Sequence, residues 1–245
     1  MRAPNENKLT LIVLAGGLAT RLRPVSLTSP KCLLEINGKS IIELVLRWAR
    51  IQGVDQIVLA LGHFASQVEA HTRNLGLDPN LIAYSYDSEP NFGTARAVKK
   101  AATNLSPDSQ IAVVFSDSCL SLCLEETTNF QLKRPGSVVM TALPADLASE
   151  PANMLVDEDR LVKYPVPPTS TPPPTHTDYG LTVMTAHQAQ QFSEYDLKLE
   201  LAAQVDCGNV YAHEVKVPYI EIGTLSSYES SRNLKHFPKG MEWMK

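Results

Sequence analysis

The stretch that most limits the fold is Leu9-Thr10-Leu11-Ile12-Val13-Leu14-Ala15, which runs straight into Gly16-Gly17 and a basic loop. It has the length and composition of a buried strand, and two glycines end it where a helix would continue. Four further runs of strand length follow: Gln56–Leu61, Leu81–Tyr86, Ile111–Phe115 and Ser137–Leu143. Helical patterns lie between them. Ser40 to Gln52 carries Ile41, Leu44, Val45, Trp48 and Ile51 on one face, with Ser40 and Glu43 spaced as a capping box. Thr94–Leu105 is a second, with Lys99 and Lys100 on its solvent side. Alternating strands and helices predict an α/β fold: a mostly parallel central sheet flanked by helices on both faces.

The second half differs in texture. Six of the ten residues from Pro165 to Pro174 are proline, a composition that runs extended and packs no core. It reads either as a linker between domains or as a loop within one. The strand-like stretches Leu155–Tyr164 and Tyr179–Thr185 on either side favour the loop. Ala186–Ala203 reads as a helix, Asn209–Tyr219 as two short strands and Leu225–His236 as a closing helix. We expect a single domain over 1–245, with a nucleotide-binding half at 8–145, a second half at 146–245 and the Pro/Thr-rich loop at 165–177.

A net charge of −4 leaves no basic footprint for nucleic acid, so an anionic ligand must be met by local residues. No run approaches the ~20 apolar residues of a membrane span. Cys32, Cys119, Cys123 and Cys207 show no metal-ligand spacing and fit a reduced, cytoplasmic setting. Cys119 and Cys123 read as buried small hydrophobes.

The chemistry concentrates in Leu14-Ala15-Gly16-Gly17-Leu18-Ala19-Thr20-Arg21-Leu22-Arg23-Pro24, followed by Pro30-Lys31. It is not a dinucleotide fingerprint, for G-x-G-x-x-G is absent. Gly38-Lys39-Ser40 is not a P-loop, because Leu33 stands where the earlier glycine is required. What remains is a strand, two glycines whose N–H groups allow close anion approach, a hydroxyl, and the cations Arg21 and Lys31 to neutralise a polyphosphate.

These residues resemble the sugar-1-phosphate nucleotidyltransferases, whose N-terminal segment reads L-A-G-G-x-G-T-R-L-x-P and then P-K; Ala19 stands in for the third glycine. Glu89-Pro90-Asn91-Phe92-Gly93-Thr94-Ala95 resembles the family's E-P-L-G-T-A/G, and Phe115-Ser116-Asp117-Ser118 its G-D-S turn. Pro151-Ala152-Asn153, Tyr164 and Asp178-Tyr179-Gly180-Leu181 are similar to the middle of the heptose-1-phosphate guanylyltransferase and N-acetylmuramate-1-phosphate uridylyltransferase subgroup. Tyr219-Ile220-Glu221-Ile222-Gly223-Thr224 resembles its F-I-D-I-G-T/S.

The resemblance implies a Rossmann-like GT-A fold and an enzyme that moves a nucleoside monophosphate from a triphosphate to a sugar-1-phosphate, releasing pyrophosphate. It implies Arg21, Lys31 and Asp117 as catalytic residues, and Leu14, Ala15, Gly16, Gly17, Thr20, Arg21, Glu89, Gly93 and Thr94 at the nucleotide. Asn153, Lys163, Asp178, Tyr179 and Gly180 would face the sugar phosphate, and Asp117 and Glu221 would hold Mg²⁺. Its partners would be the two substrates and, compatible with the sequence, further copies of itself in a homo-oligomer. Three positions depart from the pattern. Glu221 is a methylene longer than the usual aspartate, Arg96 replaces a small residue, and Val166 falls where a sugar-phosphate lysine is expected. Two rivals stand beside this reading: a catalytically silent nucleotide or sugar-nucleotide binder with a regulatory role, which the Val166 and Arg96 departures favour, and a cytidylyltransferase acting on phosphocholine or a phosphonate.

Overall fold

The structure, a computed structural model, describes residues 8–17, 22, 29–89 and 92–244. Thr20, Arg21 and Arg23 lie outside the described residues, as do Pro90 and Asn91. In chain order the strands are β1 (Leu9–Ala15), β2 (Glu35–Ile36), β3 (Lys39–Ser40), β4 (Gln56–Leu61), β5 (Ile82–Tyr86), β6 (Gln110–Phe115), β7 (Ser118–Leu120), β8 (Val138–Pro144), β9 (Leu155–Asp157), β10 (Arg160–Lys163), β11 (His176–Thr185), β12 (Val210–Glu214) and β13 (Tyr219–Glu221). The helices are α1 (Ile41–Ile51), α2 (Ala65–Arg73), α3 (Thr94–Ala102), α4 (Leu124–Leu132), α5 (Ala186–Gln190), α6 (Leu197–Asp206) and α7 (Leu225–Arg232).

Nine strands form one sheet in the order β5-β4-β1-β6-β11-β8-β12-β10-β9. Only β11 and β10 run against the rest, because β11 is antiparallel to both β6 and β8, and β10 to both β12 and β9. The sheet is therefore mostly parallel, as expected. β1 is buried along its whole length and sends alternate side chains to opposite layers. Leu11 and Val13 join the cluster containing Leu44 and Trp48 of α1, whereas Ile12 and Leu14 join the one with Ala95, Val98 and Ala102 of α3 and Leu201 of α6.

Several expectations change in detail. Ser40 caps α1 by accepting the Glu43 N–H at 3.2 Å, but the Glu43 carboxylate accepts from Arg47 Nε at 3.0 Å, so the capping box is half formed. Leu155–Tyr164 is not one strand but a hairpin, β9–β10, turning where Glu158 adopts φ 54°. Ala186–Ala203 is not one helix: α5 and α6 are separate, and the Glu200 carboxylate accepts the N–H groups of Ser193 and Glu194, both at 2.9 Å, across the break. The Pro/Thr stretch joins β10 to β11 of the same sheet. β11, from the second half of the chain, is inserted between β6 and β8 of the first.

Candidate active site

Parallel strands end together, and the residues just past β1, β4, β5 and β6 meet on that edge. Leu14 and Ala15 are buried, so they reach a ligand only through their backbone, whereas Gly17 is exposed. The Ser116 N–H bonds the Leu14 carbonyl at 3.0 Å, which carries Asp117 to the same edge. Lys31 opens a short 3-10 turn pinned by buried Cys32, and its Nζ lies 2.5 Å from Asp117 Oδ2. Asp117 Oδ1 accepts from Ser118 Oγ at 3.2 Å.

A separate two-stranded ribbon brings the far end of the chain here. β7 and β13 pair antiparallel with Glu221 opposite Ser118, and the Ile222 N–H bonds the Asp117 carbonyl at 3.0 Å. Asp117 thus immediately precedes β7, and Glu221 lies on β13 opposite Ser118. Among the described residues no group of three or more His, Cys, Asp or Glu side chains could hold a metal ion. Mg²⁺ does not need one, because it takes one or two carboxylates and completes its shell with phosphate oxygens and water, and carboxylates are the donors it prefers. Around Asp117, burial pushes the Cys32 and Cys119 thiols up to about 12. Cys123, in contrast to its expected burial, is exposed.

Beside the ribbon, Asn153, Asp178 and Gly180 converge. Asn153 Oδ1 accepts the Asp178 N–H at 2.9 Å, and the Asp178 carboxylate accepts from Tyr164 Oη at 2.8 Å and the Gly180 N–H at 2.9 Å. Gly180, at φ 93°, turns its Cα toward Ser118: a Cβ there would stand 3.9 Å from Ser118 Oγ. Burial raises the Asp178 carboxyl above its ordinary value, while its two hydrogen bonds and the charge of Lys198 pull it back.

Two expected members do not join this cluster. Tyr179 is buried, and its hydroxyl is committed to the Pro218 carbonyl at 2.9 Å and the Ser121 N–H at 3.2 Å, so it holds the ribbon down and faces no cleft. Lys163 is exposed on β10 between buried Leu161 and Tyr164, and Val166 is buried in the expected lysine position. Lys198, which the sequence did not single out, supplies positive charge near Asp178 instead.

The Gly93-Thr94 segment has a packing role. Gly93 has φ 92°, and a Cβ on it would lie 2.3 Å from the Tyr195 carbonyl oxygen. That carbonyl accepts the Ala95 N–H, and Thr94 Oγ1 donates to Asp196 Oδ2 at 3.1 Å and accepts the Leu197 N–H at 2.7 Å. The break between α5 and α6 is thereby fastened to the start of α3. Arg96 reaches exposed Glu89 at 3.5 Å and lies 5.4 Å from the Tyr195 ring centroid, which accounts for an arginine at this position.

The strand-edge residue that sequence reasoning missed is Asp87. Its N–H continues the β4–β5 ladder to the Leu61 carbonyl at 2.8 Å. Its Oδ2 rests on Gly16 and Gly62, 2.9 Å and 2.6 Å from where their Cβ atoms would be.

The family model for nucleotidyl transferases matches residues 10–152. A Sulfolobus acidocaldarius protein with the provisional name mannose-1-phosphate guanyltransferase is 29% identical over 226 residues, covering 90% of this chain and 61% of its own. A UTP–glucose-1-phosphate uridylyltransferase from Synechocystis is 27% identical over 237 residues, with 89% and 61% covered. The chain therefore spans about three fifths of the length of these relatives. Among solved structures, HddC from Yersinia pseudotuberculosis complexed with GMP-PN superposes with a TM-score of 0.76 at 19% identity, over 91% of this chain and 97% of that one. That likeness establishes the fold. With the matched segment spanning β1 to the end of β8 and on to Ala152, this chain belongs to the nucleotidyl transferase family.

Proposed function

We propose that the protein transfers a nucleoside monophosphate from a nucleoside triphosphate to a sugar-1-phosphate, with release of pyrophosphate. The observation that carries this reading is the meeting of the Lys31–Asp117 pair, Glu221 and the Asn153–Asp178–Gly180 cluster around Ser118. In the step proposed, a phosphate oxygen of the sugar-1-phosphate forms a bond to the α-phosphorus, and the bond from that phosphorus to the bridging oxygen breaks. The electron pair leaves with pyrophosphate. The attacking oxygen is already anionic, so no general base is required.

What such a reaction asks of the chain is charge neutralisation and alignment. Lys31 serves the triphosphate, joined in this reading by Arg21, and the glycine backbone of Gly16-Gly17 lets the phosphates approach. Asp117 and Glu221 would hold Mg²⁺, which when bound neutralises phosphate oxygens. Asn153 and Asp178 would offer hydrogen-bond partners to sugar hydroxyls, and Lys198, whose charge acts on Asp178, would serve the sugar phosphate. We read the reaction as cytoplasmic, where nucleoside triphosphates are supplied; among the described residues no helix is long and apolar enough to cross a membrane.

A pyrophosphate-release screen with Mg²⁺ tests the proposal, crossing four nucleoside triphosphates with hexose, heptose and N-acetylated sugar-1-phosphates and with phosphocholine. One productive sugar pair is the expected result. Turnover with phosphocholine alone, or silence despite nucleotide binding, would replace the reading with one of its rivals.

A further inference from the structure

A cavity of about 530 Å³ on the outer face of α1 takes no part in the proposed transfer. Leu75 and Leu77, from the connection between α2 and β5, line one side, and Trp243, from the turn at Glu242–Met244, lines the other. α1 itself contributes Arg47, Arg50 and Ile51. We propose that this cavity binds an aromatic acid, a flat ring system carrying one anionic oxyacid group.

The cavity stands apart from the nucleotide edge. Just beyond α1, the Asp55 N–H bonds the Leu9 carbonyl at 3.0 Å, so Arg50 and Ile51 lie toward the start of β1. Gly16-Gly17 and Asp117 lie past the opposite ends of the strands. Most of the lining is hydrocarbon. Ile51 is 62% exposed, a large aliphatic side chain left in water at the rim. The Trp243 N–H is buried with no hydrogen-bond partner among the described residues, so the indole offers carbon to the cavity.

The polar side reduces to one uncompensated cation. Arg47 gives its Nε, at 3.0 Å, and a terminal nitrogen, at 2.9 Å, to Glu43 Oε1, which makes that pair neutral. Arg50, in the last turn of α1, is exposed, and its guanidinium has no hydrogen bond or ion pair among the described residues. A guanidinium takes an oxyanion through two parallel N–H bonds, and the planar indole favours a flat ring beside it. The volume is that of a small-molecule site, mostly apolar with a few polar groups to fix orientation. One free cation matches one acid group. A neutral ring would leave Arg50 unused, and a polyphosphate would bring several charges against hydrocarbon. A flexible aliphatic acid would satisfy Arg50 but lose more freedom on binding than a rigid ring.

The test titrates the whole protein with 8-anilinonaphthalene-1-sulfonate, an aromatic acid whose emission rises in apolar surroundings. N-phenyl-1-naphthylamine, the same ring system without the acid, is titrated beside it. One sulfonate should bind per chain, with a dissociation constant of roughly 10–100 µM, and the uncharged dye at least about tenfold more weakly. Arg50→Gln should weaken the sulfonate about tenfold and leave the uncharged dye as it was. Ile51→Asp should weaken both dyes. Lys133→Gln, which removes an exposed cation at the end of α4, should affect neither. 1-Naphthoate and 1-naphthyl phosphate should displace the sulfonate, and hexanoate should not.

Equal binding of the two dyes, or sulfonate binding at full strength by Arg50→Gln, overturns the inference by reducing the cavity to a bare apolar patch. Displacement by hexanoate as good as that by 1-naphthoate overturns it too, as does a wild type with no saturable sulfonate binding. Arg50 and Ile51 are both exposed, so the two variants should keep the wild-type urea midpoint, which separates lost binding from a damaged fold.

Discussion

Replacing Gly93 by alanine separates a packing role for the Gly-Thr segment from direct contact with nucleotide. Gly93 holds φ 92° and ψ 144°, a region that costs an L-residue about 1–3 kcal/mol. The new Cβ would stand 2.3 Å from the Tyr195 carbonyl oxygen and 2.9 Å from its ring. Restoring even a 3.0 Å contact moves that carbonyl by about 0.7 Å. Three hydrogen bonds depend on its position: Ala95 N–H to Tyr195, Thr94 to Asp196, and Leu197 N–H to Thr94. Losing one or two adds about 1 kcal/mol each. The expected loss is therefore about 2–5 kcal/mol, a large share of the ~5–15 kcal/mol that holds a typical domain folded. Urea unfolding measures it as a lower midpoint with an unchanged slope. A loss below about 1 kcal/mol would refute the packing argument and return Gly93 to a role at the nucleotide.

Removing the Lys31 ammonium with Lys31→Met should lower turnover by roughly 100- to 1,000-fold, read by pyrophosphate release, since a positioned charge is lost from the phosphates; near-normal turnover would end its catalytic role. Arg21→Ala should abolish turnover while leaving the melting temperature within a few degrees. Burial raises the Asp178 carboxyl in the folded state, so the native protein holds that proton more tightly than the unfolded chain. Its contribution to stability is complete below the unfolded value near 3.8 and is lost as pH rises through the folded one. The unfolding free energy of wild type relative to Asp178→Asn should accordingly fall as pH rises above that value, in urea melts run from pH 3 to 7. A thiol reagent near pH 8 should label Cys123 and Cys207 quickly and reach Cys32 and Cys119 only on unfolding, because the latter two are buried with raised thiols.

β1 and β4 were legible to the residue because each is a short, largely apolar run closed by a glycine, and Ser40 announced the start of α1. The elements of the β7–β13 ribbon were not, because three residues each carry no periodicity and their pairing is a tertiary event. The break between α5 and α6 was hidden for a related reason. Phe192, Leu197 and Leu201 continue an apolar pattern across it, and what interrupts the helix is the Glu200 carboxylate and the start of α3. Asp117, Glu221, Asn153 and Asp178 were singled out through family resemblance, and the fold brings their segments to one edge. Lys163 and Tyr179 were adjacent in sequence to cluster members and face elsewhere, since neighbours along a strand point to opposite sides. Asp87 escaped notice because an aspartate after a strand reads as a turn residue. Its environment consists of two glycines, one on β1's loop and one after β4, that sequence alone does not bring together.

The insertion of β11 between β6 and β8 has a consequence for how the protein is made. As the chain emerges from the ribosome, β1, β4, β5 and β6 can assemble once residue 115 is free, but the inner edge of β6 then waits, unpaired, for a strand that ends at Thr185. Through the synthesis of some seventy residues, including the proline-rich stretch, that edge and the apolar face of β8 stand open to any other strand. A fragment ending near residue 145 would keep both permanently exposed. It should collect in aggregates, while a chain extended past Thr185 should stay in solution.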